Sequence, residues 1–320
     1  MKKLVISLAT RNRPQLLMET VARSMANWAL PNTVLMLQID EDDVATIGAL
    51  SQAAPHSWFV GPEGPRVVVN VKPREDTIAA KWNRALTMPA DVYLVAADDD
   101  PYITPGYDQK LLEAADLFHD GIGMVYGQMA NLSFSGVVAP TAKLCEKLGY
   151  IQPEYFPYWF CDHWTDDLVR MLGRISYADV KTDQSKAPPT QEMREPAWWA
   201  TWFDAGYVFR RKEVAMIVSD SDFEETDGTK QRIKNIAPRI ENYSRWVNQN
   251  VRQMPIQVLD PKDERYQRVK QKAIDMLPQF FDGMPAEEAA AFKNFLDPPK
   301  VIANIPQAFP PTGPRLVAAE

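Results

Sequence analysis

Short apolar runs alternate with segments of helical periodicity through the first 180 residues of the chain. Residues 3–8 form a run without a polar face, the pattern of a strand covered on both sides. Pro14 then suits the first turn of a helix, and Leu16, Leu17, Thr20, Val21 and Met25 recur at helical spacing. Residues 33–39 and 67–71 predict two more strands, and a helix is expected to begin near Thr77. On that helix Ile78, Trp82 and Leu86 share an apolar face, while Lys81 and Arg84 share a basic face expected to look outward. Residues 92–97 predict a fourth strand, 107–118 a helix, 122–126 a strand and 141–148 a short helix. Thr165 suits a helix N-cap, which would place Asp166 and Asp167 in the first turn, where carboxylates stabilise a helix without any chemistry. Residues 175–178 complete the pattern as a short strand. Strands alternating with helices predict an α/β fold with a mainly parallel sheet and right-handed crossovers.

The texture changes beyond residue 211. Residues 223–276 are charged and helical in pattern, 285–295 predict another helix, and 298–314 are proline-rich and expected to be extended. The expected organisation is therefore an α/β domain over 1–210 and a helical extension with a Pro-rich tail over 211–320.

The chemistry gathers at strand ends. Residues 92–97 run into Asp98, Asp99 and Asp100, and residues 33–39 run into Asp40, Glu41, Asp42 and Asp43. Consecutive carboxylates leaving an apolar strand repel one another unless solvent or a cation relieves them. The carboxyl ends of strands are also where open α/β sheets bind ligands. Asp98 and Asp100 are thus a candidate hard-metal site, oxygen donors favouring Mg2+ or Mn2+; the alternative is an acidic turn before Pro101. His163 reads either as a functional group, a third metal ligand or a phosphate contact, or as a histidine bonded locally within the aromatic stretch YFPYWFCDHW. Trp198, Trp199 and Trp202 follow the polar loop 181–196 and suit either stacking on a ring-shaped ligand beneath a lid or core packing.

Bulk properties exclude several classes. The formal net charge of -7 argues against stable nucleic-acid binding. Two cysteines, Cys145 and Cys161, are too few for a disulfide framework or a zinc cage. The opening MKKLVISLA imitates a signal peptide but breaks at Arg11, Asn12 and Arg13, and no stretch reaches the length of a membrane span. A soluble protein of a reducing compartment, placed in the cytoplasm, is expected.

Taken in order, these residues resemble the GT-A nucleotide-sugar glycosyltransferases, nearest the family 2 type and its bacterial and phage relatives, over about two thirds of the chain. Thr10-Arg11-Asn12-Arg13 is similar to the family's turn after the first strand. Asp40 is similar to its acidic contact to base or ribose, and Lys81 with Asn83 to its basic-x-Asn segment beside the diphosphate. Asp98-Asp99-Asp100 stands where the Asp-x-Asp motif belongs, and Asp166-Asp167 resembles the acceptor-side Glu-Asp motif, with Asp in place of Glu. The resemblance implies a nucleoside-diphosphate sugar donor and a divalent ion held by Asp100, with Asp98 touching the ribose or a metal-bound water. Arg11, Arg13 and Lys81 would face the diphosphate. It further implies inverting transfer, Asp167 serving as the base and Asp166 second, to an acceptor that is a saccharide, lipid, protein or modified base. Two rival readings remain at this point. A sugar nucleotidyltransferase would want glycine in the first turn, where this chain has Thr-Arg-Asn-Arg-Pro. A non-catalytic nucleotide-sugar or glycan-binding protein of the same fold would bind without turnover.

Overall fold

The computed structural model describes residues 2–61, 63–127, 137–157, 159–183, 195–224 and 263–296. Among them seven strands form one sheet in the order β3-β2-β1-β4-β6-β5-β7. Strands β1 (Leu4–Ala9), β2 (Val34–Asp40), β3 (Val67–Lys72) and β4 (Val92–Ala97) are mutually parallel, so their carboxyl ends share one edge. Strand β6 (Val138–Pro140) runs antiparallel between β4 and β5 (Met124–Tyr126), and β7 (Ile175–Tyr177) lies parallel to β5. The fold is α/β, as the alternation of elements predicts.

The central position of β1 follows from its sequence. Leu4, Ile6 and Leu8 enter one core with α1 (Pro14–Met25) and α4 (Tyr107–Ala115), while Val5 enters the core on the opposite face with Ala85, Cys145 and Ile151. Residues of alternate parity point to opposite faces, so a strand without a polar face needs helices on both. The segment that imitates a signal peptide is this strand. Helix starts follow ordinary capping: Asp43 accepts from Thr46 N at the head of α2 (Val44–Ala53), and Thr77 from Ala80 N at α3 (Ile78–Asn83). Thr141 does the same for α5 (Ala142–Leu148).

Two expectations are corrected. Helix α3 ends at Asn83 and passes into a 3-10 turn, Arg84–Thr87. Its basic residues face inward: Lys81 is buried and Arg84 nearly so, because both are drawn to Asp40. The second correction concerns α6, which spans Cys161–Leu172 and begins from Phe160 in the left-handed region, φ 77. Thr165 is therefore inside the helix, donating to Gln152 Oε1 at 2.8 Å and to the Cys161 carbonyl. Asp162 occupies the first turn, whereas Asp166 and Asp167 lie beyond it and gain nothing from the helix terminus.

Four further helices follow: α7 (Pro196–Ala205) and α8 (Tyr207–Val218) pack on α6, and α9 (Glu264–Phe281) and α10 (Ala286–Leu296) pack on these in turn. They share one core with β5, β6, α5 and α6, centred on Phe156, Trp164, Trp199, Trp202 and Phe280. The three tryptophans of α7 take the packing role: Trp202 Nε1 donates to the Ala273 carbonyl at 2.8 Å, Trp199 to Tyr266 and Trp198 to the Leu296 carbonyl. Between α7 and α8, a Cβ on Gly206 would come within 2.7 Å of the Trp164 ring, so the joint requires glycine. Position 211, where the sequence texture changes, lies within α8. Arg268 of α9 pairs with Asp76, ahead of α3. The loop expected as a lid lies largely outside the described residues, as do the helical pattern over 225–262 and the tail over 297–320. No helix among the described residues is long and apolar enough to cross a membrane.

Candidate active site

The carboxyl ends of β1, β2 and β4 place three sequence motifs against one another. Ala9 is level with Ala97 across the β1–β4 pair, so Thr10 and Asp98 leave the sheet side by side. The Thr10 hydroxyl donates to Asp98 Oδ2 at 2.6 Å, and the Thr20 hydroxyl of α1 donates to the Asp98 carbonyl at 2.7 Å. Arg13 Nη1 donates to Asp98 Oδ1 at 3.1 Å and to Asp99 Oδ2 at 3.2 Å. Asp98 is buried, and desolvation raises its pKa against the opposing pull of Thr10 and Arg13.

Beside it Asp40, 1 % exposed, accepts from Arg11 Nη1 at 2.9 Å and lies 2.8 Å from Lys81 Nζ. Lys81 also donates to the Thr10 carbonyl at 3.0 Å, fixing the turn to α3. Burial holds its ammonium below the ordinary lysine value. The turn is shaped by Asn12 at φ 54, a conformation asparagine tolerates, with its amide donating to Asp43 Oδ2 at 2.8 Å. Of the expected cofactor-binding residues, Thr10, Arg11, Arg13, Asp40, Lys81, Asp98 and Asp99 are thus brought together. Asn83 sits on the far side of α3: its amide oxygen accepts from Ile151 N and Gln152 N, and its nitrogen donates to the Gln152 carbonyl and Glu154. That side chain fixes the loop before α6.

Arg11 also grips Asp42 with both terminal nitrogens, at 2.6 and 2.9 Å. This hydrogen bond lowers the Asp42 carboxyl to about 2 from 3.8. Because the folded pKa is depressed, the pair's contribution is complete above about pH 3.8 and is lost as pH falls toward 2. Arg11→Gln is expected to lower the urea midpoint near neutrality, where the pair's contribution is complete, and to flatten its fall between about pH 3.8 and 2, where that contribution is lost.

On the neighbouring side of the sheet, α6 presents a second acidic group. Asp166 accepts from the Tyr126 hydroxyl at 3.0 Å, at the end of β5, and from Arg170 Nε at 2.7 Å. Asp167 lies 3.3 Å from Nε of Arg210, a guanidinium with no exposed surface. Arg210 stacks over Phe203 and Trp164 and donates to the Phe203 carbonyl at 2.6 Å. One turn along α8, Glu213 accepts from Trp164 Nε1 at 2.7 Å and from Tyr150 at 2.9 Å, and burial raises its pKa. Tyr126 and Arg210 are functional candidates that sequence reasoning missed, since neither stands in a motif.

His163 lies on α6 ahead of the aspartates, with Nδ1 2.8 Å from Asp162 Oδ1 and its ring beside Phe160 and Phe203. Burial opposes its charge, yet Asp162, with Asp166 and Asp167 beyond, raises its pKa above the ordinary value. Among the described residues no group of three or more His, Cys, Asp or Glu is placed to hold a metal ion. His163 therefore does not complete a three-residue cage with Asp98 and Asp100. What the β4 terminus does offer suits a divalent ion sharing its shell with phosphate and water: hard oxygen donors, two of which already converge on one cationic nitrogen of Arg13.

A mainly parallel sheet with its acidic strand ends on one edge and an antiparallel β6 beside β4 defines a GT-A-type α/β fold. Solved structures share it. The chain is similar to S. aureus TarS 1-349 in complex with UDP-GlcNAc, at 14% identity and a TM-score of 0.51, covering 91% of this chain and 84% of that one. A second structure of S. aureus TarS 1-349 matches at 15% identity and a TM-score of 0.50, over 91% and 83%. The mannosyltransferase PcManGT from Pyrobaculum calidifontis, in complex with GDP-Man and Mn2+, matches at 15% identity and a TM-score of 0.45, over 92% and 87%. At such identities the likeness to S. aureus TarS is one of fold. No family model matches the chain, and no curated protein matches its sequence.

Proposed function

We propose that the protein transfers a sugar from a nucleoside-diphosphate sugar to an acceptor hydroxyl. The observation that carries this reading is the hydrogen-bonded convergence of Thr10, Arg11, Asp40, Lys81 and Asp98 at one edge of a GT-A-type sheet. The UDP-GlcNAc complex of S. aureus TarS supports a nucleotide sugar as the donor class to test.

In this reading Asp40 receives the nucleoside, while Arg11, Arg13 and Lys81 face the diphosphate. Guanidinium groups match phosphate oxygens with paired donors, so binding would exchange carboxylate partners for phosphate. Asp98 and Asp100 would hold Mg2+ or Mn2+, which when bound supplies charge neutralisation to the departing diphosphate. Asp167 accepts the proton of the attacking hydroxyl, and Asp166 is the second candidate. Attack from the face opposite the leaving group inverts the anomeric centre. A saccharide, lipid, protein or modified base would satisfy the acceptor requirement.

The test is calorimetric titration of UDP, GDP, CDP, ADP and dTDP, with and without Mn2+, into the wild type and Asp100→Ala. One nucleotide is expected to bind with a requirement for metal, and Asp100→Ala to weaken that binding at least about tenfold. Release of nucleoside diphosphate from the matching sugar nucleotide then tests turnover. Asp167→Asn is expected to slow it by about 10²–10⁴ while donor affinity changes little. Absence of metal-dependent binding across the panel overturns the reading.

A further inference from the structure

Arg13 differs from the other two cations of the site. Lys81 and Arg11 are held on Asp40 at 2.8 and 2.9 Å, and their side chains are 10% and 27% exposed. Arg13 reaches its partners at 3.1 and 3.2 Å and is 42% exposed. A single nitrogen of its guanidinium lies between Asp98 Oδ1 and Asp99 Oδ2, as a cation shared by two adjacent carboxylates would. The opposite oxygen of Asp98 is taken by Thr10, and the backbone there by Thr20, so Asp98 itself is fixed while Arg13 is the more loosely held partner.

We propose that Arg13 is the resident counter-cation of the Asp98–Asp99 pair and competes, at their shared carboxylate Asp98, with a divalent ion held by Asp98 and Asp100 until a diphosphate draws the guanidinium away. Two positive groups at these carboxylates repel each other, so a metal arriving alone must displace Arg13. A diphosphate offers the guanidinium a better partner with paired acceptor oxygens. Metal and nucleotide then favour each other's binding, and by linkage the coupling is reciprocal. The diphosphate part rests on the sugar-transfer reading; the competition with metal belongs to the protein alone.

The experiment is binding of Mn2+ by itself, followed by electron paramagnetic resonance of the free ion. It uses the wild type, Arg13→Gln and Arg13→Lys, with thermal unfolding to verify that each variant is folded. Arg13→Gln is expected to bind Mn2+ at least about tenfold more tightly than the wild type, a change of about 1.4 kcal/mol. Arg13→Lys, which keeps the charge, is expected to stay near the wild type. Adding the nucleoside diphosphate should tighten Mn2+ binding in the wild type and do so less in Arg13→Gln. The proposal is overturned if Arg13→Gln binds Mn2+ no more tightly than the wild type, or if Lys behaves like Gln. Should no nucleotide bind, the sugar-transfer reading falls, while the Mn2+ measurement still decides the role of Arg13.

Discussion

Arg210→Met is expected to lower stability by about 3–5 kcal/mol, because it leaves the buried Asp167 carboxylate without its guanidinium. Arg210 has no exposed surface and Asp167 is 5% exposed, so solvent does little to screen the charge left behind. The loss should be read as a fall in the urea midpoint at unchanged slope. A double variant, Arg210→Met with Asp167→Asn, removes both charges and is expected to regain part of the loss, since the penalty lies in the buried charge deprived of its guanidinium more than in the absent contact. Additive losses in the double variant would show that Arg210 acts through its stacking on Phe203 and Trp164 instead.

Trp202→Ala is expected to cost a similar amount, about 3–5 kcal/mol, by opening a cavity at the centre of the helical core. The indole is fully buried, lies 5.0 Å from the Phe280 ring and 5.1 Å from Phe156, and bonds the Ala273 carbonyl. Its removal loosens α9 from α7, leaving the Trp199–Tyr266 contact, so the amides of α9 should exchange with solvent faster than those of β1 and β2. Trp202→Phe, which keeps an aromatic ring and loses the N–H, is expected to cost about 1 kcal/mol. Equal exchange rates in α9 and the central strands would mean that the helical layer and the sheet open as one unit.

The two expected results concern the same joint. Helix α8 carries Arg210 to Asp167 and Glu213 to Trp164, so it braces the face of α6 from which the candidate base projects. Helix α9 reaches the segment ahead of α3, the helix that bears Lys81, through Arg268 and Asp76. The helical layer is thereby tied to both halves of the candidate site.

Several readings were legible because they depend on local chemistry. Pro14 marks the start of α1 and Thr77 that of α3, where a fixed φ and a hydroxyl acceptor act within one turn. The start of α6 was misplaced because Thr165 has the composition of a cap, whereas Phe160 in the left-handed region does not. A signal was present: Trp164, Leu168 and Leu172 recur every four residues and carry the helix upstream of Thr165. Lys81 was read both as part of an outward basic face and as a phosphate contact. Only the neighbouring strand end explains its burial, since Asp40 comes from a different element.

The sequence by itself determined the α/β class, the order of the strands that bear carboxylates, and most of the residues that meet at the sheet edge. Periodicity and strand-end charge are properties of short segments, and a parallel sheet necessarily collects its carboxyl ends along one edge. The tertiary structure alone decided the pairings: Arg11 with Asp40 and Asp42, Arg13 with Asp98 and Asp99, Asp166 with Tyr126, and Asp167 with Arg210. These partners lie far apart in the chain, unlike Asp166 and Arg170, which stand one helical turn apart. Which cation meets which carboxylate depends on how the sheet and helices pack, because a charge pair leaves no periodic trace in the sequence on either side of it.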